Sequence, residues 1–154
     1  MSEIKVRVAN LADLRTIREL MIQLYEYFGI EFNEKRFEWG IKKRLKDRLQ
    51  REGILVAEQI TSVGKNIIIG VIVAEILINP VGHSEGCLTN IIIGLSHRGK
   101  GYGHIFIDQA IKHLEEMGAE IIKLNLEEDF IKMLDYFKKL GFESKYRVLE
   151  YKPK

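Results

Sequence analysis

Between residues 88 and 114 an apolar run, a glycine-rich loop and a helical pattern follow one another directly. Leu88 to Ile93 is mostly apolar, glycines stand at 99, 101 and 103, and Ile105, Ile107, Ala110, Ile111 and Leu114 mark one helix face. A strand, a glycine loop and a helix N-terminus in that order make an anion site. Loop and first-turn N–H groups converge there, and the helix dipole adds partial positive charge. Glycine at alternate positions lets backbone approach a diphosphate without a Cβ in the way. Arg98 and Lys100 add full charges at the same lip. A tight strand-to-helix turn is the alternative, but a turn alone has no need of flanking cations.

Spacing separates three phosphate motifs. G-x-G-x-x-G fails, because its third glycine falls on His104 when counted from Gly99 and on Phe106 when counted from Gly101. Gly94 to Lys100 reads G-x-x-x-x-G-K, but Gly101 follows where a P-loop needs a hydroxyl for magnesium. R-x-x-G-x-G is met by Arg98, Gly101 and Gly103. Here the chain resembles the GNAT superfamily of N-acetyltransferases, in which this motif follows the fourth strand and holds the pyrophosphate of acetyl-coenzyme A. Leu134 to Phe142 also resembles that family's aromatic–lysine–leucine–glycine–phenylalanine ending of its last helix.

The resemblance implies that the backbone of Ile91, Ile92 and Ile93 meets the pantetheine arm on a bulged strand. It implies that Arg98, Gly99, Lys100, Gly101, Tyr102, Gly103 and His104 surround the pyrophosphate. The family's general-acid tyrosine falls on Phe137, beside the coenzyme sulfur, and its asparagine seven residues earlier falls on Phe130. Tyr136 is no simple substitute, since neighbours on a helix point about 100° apart. The chemistry survives, because a thiol of pKa about 8.5 leaves tolerably as thiolate. Deprotonating the acceptor amine is the larger need if it is a lysine, whose pKa is about 10.4. Glu75 interrupts an apolar strand and is the first candidate base, the alternative being a solvent-facing strand end. Asn90 could hold a water in the same role. His83 and Glu85 read as loop residues, and Cys87 as a small buried one.

Tyr25, Glu26, Tyr27, Phe28, Glu31 and Phe32 cluster where the first two helices meet, and carboxylates among aromatics suit a cationic amine. Tyr25, Glu26 and Phe28 are the acceptor candidates, with amphipathic packing as the alternative.

These side chains have to be positioned by the following elements. Glu3 to Ala9 alternates as a strand. Asn10 caps a helix with Leu14, Ile17, Leu20, Met21, Leu24 and Phe28 on one face, ending near Gly29, with Asp13 a weak partner for a capping box. A second helix is predicted over Glu34 to Arg51, with Phe37, Ile41, Leu45 and Leu49 as its stripe and basic residues elsewhere. Those read as a solvated face or a docking surface for an acidic partner. Strands are predicted at Ile54 to Glu58, Ile67 to Ile78, Leu88 to Ile93, Glu120 to Leu126 and Tyr146 to Lys152. His83 to Gly86 is read as a loop. Gly118 stops the helix after the glycine loop, and a last helix runs from about Asp129 to Leu140, ended by Gly141. The order β-α-α-β-β-β-α-β-α-β makes a mixed α/β sheet flanked by helices, which is also the order of the GNAT fold.

The 154 residues suit a single domain. A 46% hydrophobic share with 30% charged residues excludes a disordered chain or a membrane-embedded one, and a net charge of +2 gives nucleic acid no preference. One cysteine excludes an intrachain disulfide, and no signal-peptide core is visible, so a cytoplasmic location is expected. The expected partner is an amine acceptor, small molecule or protein, with a homodimer left open and neither membrane nor nucleic acid involved. The function expected is acetyl transfer from acetyl-coenzyme A to a primary amine by direct attack. A coenzyme A-binding module with weakened catalysis and a P-loop-like nucleotide-binding protein are the alternatives.

Overall fold

Alternation in the first residues becomes a strand, β1 (Glu3–Val8), and Asn10 then turns the chain into helix through a 3-10 turn, Leu11–Asp13. A computed structural model describes residues 3–47, 50–126 and 128–154, without the side chains of residues 50, 51, 90 and 128–130. The capping box is stronger than its sequence suggests. Ala12 N–H donates to Asn10 Oδ1 at 2.9 Å and Asn10 N–H to Asp13 Oδ2 at 2.8 Å. Arg7 also grips Asp13 with two nitrogens, at 2.8 and 2.9 Å. Burial pushes the Asp13 carboxyl up, but the bonds from Arg7 and the Asn10 N–H outweigh it and hold it below the ordinary value.

Asp13→Ala is therefore expected to destabilise the protein by about 2 kcal/mol, since it removes a cap and leaves the half-buried Arg7 guanidinium with only its longer contacts to Glu58. The sign with pH follows from the lowered value. The contribution of Asp13 is full above the ordinary carboxylate range and disappears as the pH falls through its folded-state pKa. Urea unfolding at pH 7 and pH 3 checks both points. An equal difference between wild type and variant at the two pH values would contradict the linkage.

Helix α1 (Leu14–Tyr27) buries Ile17, Leu20 and Met21, while Phe28 at its end is exposed. The predicted second helix is broken up. Asn33 caps α2 (Glu34–Phe37), a π-helical turn follows at Glu38–Lys42, and α3 (Lys43–Lys46) ends where Asp47 becomes extended. Gly40, a poor helix former, sits in the π turn. The Phe37, Ile41 and Leu45 stripe is buried as expected, whereas Leu49 and Arg48 lie outside the described residues.

The sheet is made by β1, β2 (Ile54–Ile60), β3 (Asn66–Ile78), β4 (Ser84–Ile93) and β5 (Ile121–Leu124), side by side in chain order. The first three pairings are antiparallel, and β4–β5 is parallel. The region predicted as a loop, His83 to Gly86, is mostly strand, with Ser84 opening β4. One face of the sheet packs Val56, Val71, Val73 and Ile92 against α1 and the π-bulged segment. The other packs Leu55, Ile72, Ala74 and Leu88 against α4 (Tyr102–Glu116). Helix α4 buries Phe106, Ile107, Ala110 and Leu114, so Phe106 takes the core place expected of Ile105, which is 45% exposed.

Residues 125–154 form a second compact unit, beginning with a 3-10 stretch, Glu128–Met133, and α5 (Leu134–Lys139). Its end explains the aromatic–glycine–phenylalanine pattern. Phe142 N–H donates to Phe137 O and Gly141 N–H to Lys138 O, both at 3.0 Å, which is a Schellman motif. Gly141 has φ +103°, and the Phe137 and Phe142 rings meet edge to face at 5.7 Å across the cap. The same pattern of bonds ends α1 at Gly29 and α4 at Gly118. Tyr146 to Lys152 forms no strand, contrary to its pattern, and Tyr146, Val148, Leu149 and Tyr151 are exposed. β-propensity expresses itself only where a neighbouring edge supplies ladder bonds. No helix among the described residues is long and apolar enough to cross a membrane.

Candidate active site

The site begins with a register change. Between Val73 and Val71, β3 moves two residues, while its partners on β4, Thr89 and Ile92, are three apart. The additional residue makes a bulge at Asn90–Ile91, which bends β4 and leaves ladder groups unpaired. On the other side β5 follows β4 only as far as the Leu88–Leu124 pair. From Thr89 to Ile93, therefore, β4 has no ladder partner on that side within the described sheet. Ile92 is buried toward α1, and Ile91 and Ile93 pack toward α4, so these three residues offer a ligand their backbone. Asn90 lies in the bulge, but its side chain is outside the described part of the structure.

Gly70 permits the close approach here. A Cβ on it would lie 2.8 Å from Ile92 O and 3.3 Å from Phe106 Cε1, so any side chain would push on the bulged strand. Nothing in the sequence pattern singles it out.

Beyond β4, Gly94 N–H donates to Ile69 O at 2.8 Å and Leu95 N–H to Gln23 Oε1 of α1 at 3.2 Å. After a 3-10 turn, Leu95–His97, the chain passes through Gly99 (φ +76°) to Gly101 (φ +80°), which is the N-cap of α4. No side chain caps this helix, so its first N–H groups are left for another acceptor. A Cβ on Gly99, Gly101 or Gly103 would meet nothing within 4 Å, which means the space before the loop is open. The loop therefore fits a diphosphate, and the unpaired stretch of β4 beside it fits an amide-bearing arm.

The predicted side chains divide. Arg98 folds back to donate from Nε to Ile93 O at 2.8 Å, tying the loop to the strand end. Lys100 and His104 are exposed at the lip. Tyr102 faces the core instead, and its hydroxyl accepts from Gln59 Nε2 of β2 at 3.3 Å. Phe137 is buried within the second unit. The buried Nδ1 of His97, which sequence reasoning overlooked, has no hydrogen-bond partner among the described residues.

Glu75 lies on the same face of β3 as Val73 and is half-buried, but it is not alone: Arg44 of α3 pairs with its Oε1. It stands two residues from the bulge partner Val73, or about 7 Å along the strand. Cys87, opposite Glu75, is no nucleophile. Burial pushes its thiol up, and the Glu85 charge adds to the effect, so it stays protonated at neutral pH. Glu85 belongs to β4 and accepts from Asn79 and from Lys123 at 3.0 and 2.9 Å; His83 pairs with Glu120 at 2.6 Å. These are ties at the far end of the strand.

Of the acceptor candidates, Tyr25 lines a cavity between α1 and the π-bulged segment, together with Arg36, Phe37, Gly40, Ile41 and Arg44. Glu26 and Phe28 are exposed and do not line it. Phe32 sits edge to face with Tyr25 at 5.4 Å and 5.2 Å below the Arg18 guanidinium, so part of the aromatic cluster is packing. The charge at this cavity comes from arginine, contrary to the acidic cluster expected from the sequence.

The sequence model of the Acetyltransferase (GNAT) family matches residues 14–142. No curated protein matches the chain. Among solved structures, a possible acetyltransferase from Clostridium difficile 630 has TM-score 0.75 at 19% identity, over 97% of each chain. Aminoglycoside N-acetyltransferase AAC(6')-Iy in complex with CoA has TM-score 0.74 at 18% identity, over 99% of this chain and 96% of its own. Glucosamine-6-phosphate N-acetyltransferase from Arabidopsis thaliana has TM-score 0.66 at 16% identity, over 97% and 98%. At such identities the likeness is one of fold.

Proposed function

Because the chain belongs to the GNAT acetyltransferase family, we propose that it moves acetyl from acetyl-coenzyme A to a primary amine by direct attack. The observation that carries this reading is the bulge at Asn90–Ile91 beside an uncapped, glycine-lipped helix N-terminus. Backbone groups of Ile91 to Ile93 would bind the pantetheine amides as an added strand does. N–H groups from Gly99 to His104 would hold the pyrophosphate, with Lys100 adding charge at the lip. When bound, the coenzyme supplies an activated thioester and a thiolate leaving group.

Glu75 is the proton acceptor for the incoming amine, and its pair with Arg44 has to open for it to act. Phe137 has no hydroxyl to deliver a proton, so the thiolate leaves unassisted. A water held by Asn90 is the second candidate base. A coenzyme A-binding module with weak catalysis remains the other reading, and Phe137 is what favours it. The nucleotide reading has less support, since a 3-10 turn interrupts Gly94 to Gly101 and no hydroxyl follows Lys100.

Coenzyme A should raise the melting temperature while ATP with magnesium does not, because a ligand that binds only the native state stabilises it by mass action. At a hundred times its Kd the gain is about 2.7 kcal/mol. Equal or greater stabilisation by ATP–magnesium would overturn the assignment.

A further inference from the structure

The cavity between α1 and the π-bulged segment has a volume of about 210 Å³. Its floor is apolar, from the buried Phe37 and Ile41, and Tyr25 supplies a half-buried aromatic wall. Two guanidiniums, Arg36 and Arg44, also line it. Arg44 is paired with Glu75, but a guanidinium has five N–H donors and keeps some for a second acceptor. Arg36 has no ion pair or side-chain hydrogen bond among the described residues. The acids flanking it are engaged elsewhere, Glu34 by Arg18 and Glu38 by Lys42. The cavity therefore carries uncompensated positive charge over an apolar floor.

Three further observations mark it as a place for a ligand. Gly40 opens its wall from within the π turn, and a Cβ there would meet nothing within 4 Å. Such turns interrupt helices frequently at functional sites. Arg44 links the cavity to Glu75, two residues along β3 from the bulge partner Val73. The volume lies below the ~300 Å³ at which pockets begin to hold drug-sized molecules, so one small body fits and a multi-ring one does not.

We infer that this cavity receives the acetyl acceptor, and that the acceptor carries an anionic group on a small apolar body besides its amine. The inference rests on the acetyltransferase reading and narrows its substrate class. Arg36 and the remaining donors of Arg44 take the anion, while Phe37, Ile41 and Tyr25 take the apolar body. A polycation meets two like charges here and is rejected, which is discrimination by repulsion as much as by fit.

Calorimetry with 3-phenylpropionate and 3-phenylpropylamine isolates the charge preference without any turnover. The acid should bind at least tenfold more tightly than the amine. Arg36→Gln should erase that difference, whereas Lys35→Gln, the same charge change on an exposed neighbour outside the cavity, should leave it within twofold. Gly40→Leu should block the acid by filling the opened wall. In acetylation assays, phenylalanine should be preferred over phenethylamine and spermidine, and the preference should shrink in Arg36→Gln. Equal binding of acid and amine, an equal loss in Lys35→Gln, or a preference for spermidine would each overturn the inference. Coenzyme A affinity, measured alongside, separates the two failures. If coenzyme A binds and phenethylamine is acetylated while the acid does not bind, only the anionic acceptor falls. If coenzyme A does not bind, the acetyltransferase reading falls.

Discussion

Replacing Gly101 by valine is expected to abolish the stabilisation that coenzyme A confers. Gly101 holds φ +80° and ψ 4° as the N-cap of α4. A β-branched residue is a steric outlier there, so the chain would re-enter the helix at another angle and the first-turn N–H groups would no longer converge. Asparagine tolerates the left-handed region, so Gly101→Asn keeps the backbone while adding a side chain to the open space before the loop. If the ligand approaches the backbone closely, both variants lose the thermal shift. If only the conformation of Gly101 matters, valine alone does. An undiminished shift in Gly101→Val would place the diphosphate elsewhere.

The second large effect is expected at Glu75. Glu75→Gln keeps the shape of the side chain and one acceptor oxygen for Arg44, but it loses the charge of the ion pair and cannot take a proton. Turnover at neutral pH should fall by about 10²–10⁴, the range of general acid–base catalysis, with coenzyme A affinity unchanged. Part of the loss should return as the pH rises toward the acceptor amine's own pKa, about 10.4 if it is a lysine, where the nucleophile is already neutral. Phe137→Tyr should alter turnover by less than about tenfold if the thiolate leaves unaided. Unchanged rates in Glu75→Gln would leave a water held by Asn90 as the base. A large gain in Phe137→Tyr would show the natural protein to be a weakened enzyme.

Features set by neighbours in sequence were legible. The glycine loop, the three helix ends at Gly29, Gly118 and Gly141 and the long strand β3 are local patterns, and each stands where it is expected, whereas β4 begins at Ser84, inside the segment read as a loop. Features set by pairing across the sheet were not. The Arg44–Glu75 ion pair joins residues far apart in sequence, and only the packing of α3 against β3 brings them together. The bulge depends on relative register, which neither strand reveals alone. Phe106 was overlooked because Ile105 and Ile107 drew attention to a face rotated from the Phe106, Ala110 and Leu114 row that meets the sheet. The π turn at Gly40 keeps the Phe37, Ile41 and Leu45 stripe intact, so the spacing of apolar residues gives no sign of it. The acidic residues near Tyr25 suggest a cationic acceptor, yet the charged lining of the cavity comes from the next helical segment and is basic.

The central claim is acetyl transfer to an amine, and release of free thiol from acetyl-coenzyme A measures it directly. With a panel that spans amino acids, simple amines and polyamines, the account predicts release that depends on the amine, saturates with it and is lost in Gly101→Val. Thermal stabilisation by coenzyme A with no amine-dependent release from any member of the panel would contradict it, and would leave a protein that binds the coenzyme without turning it over.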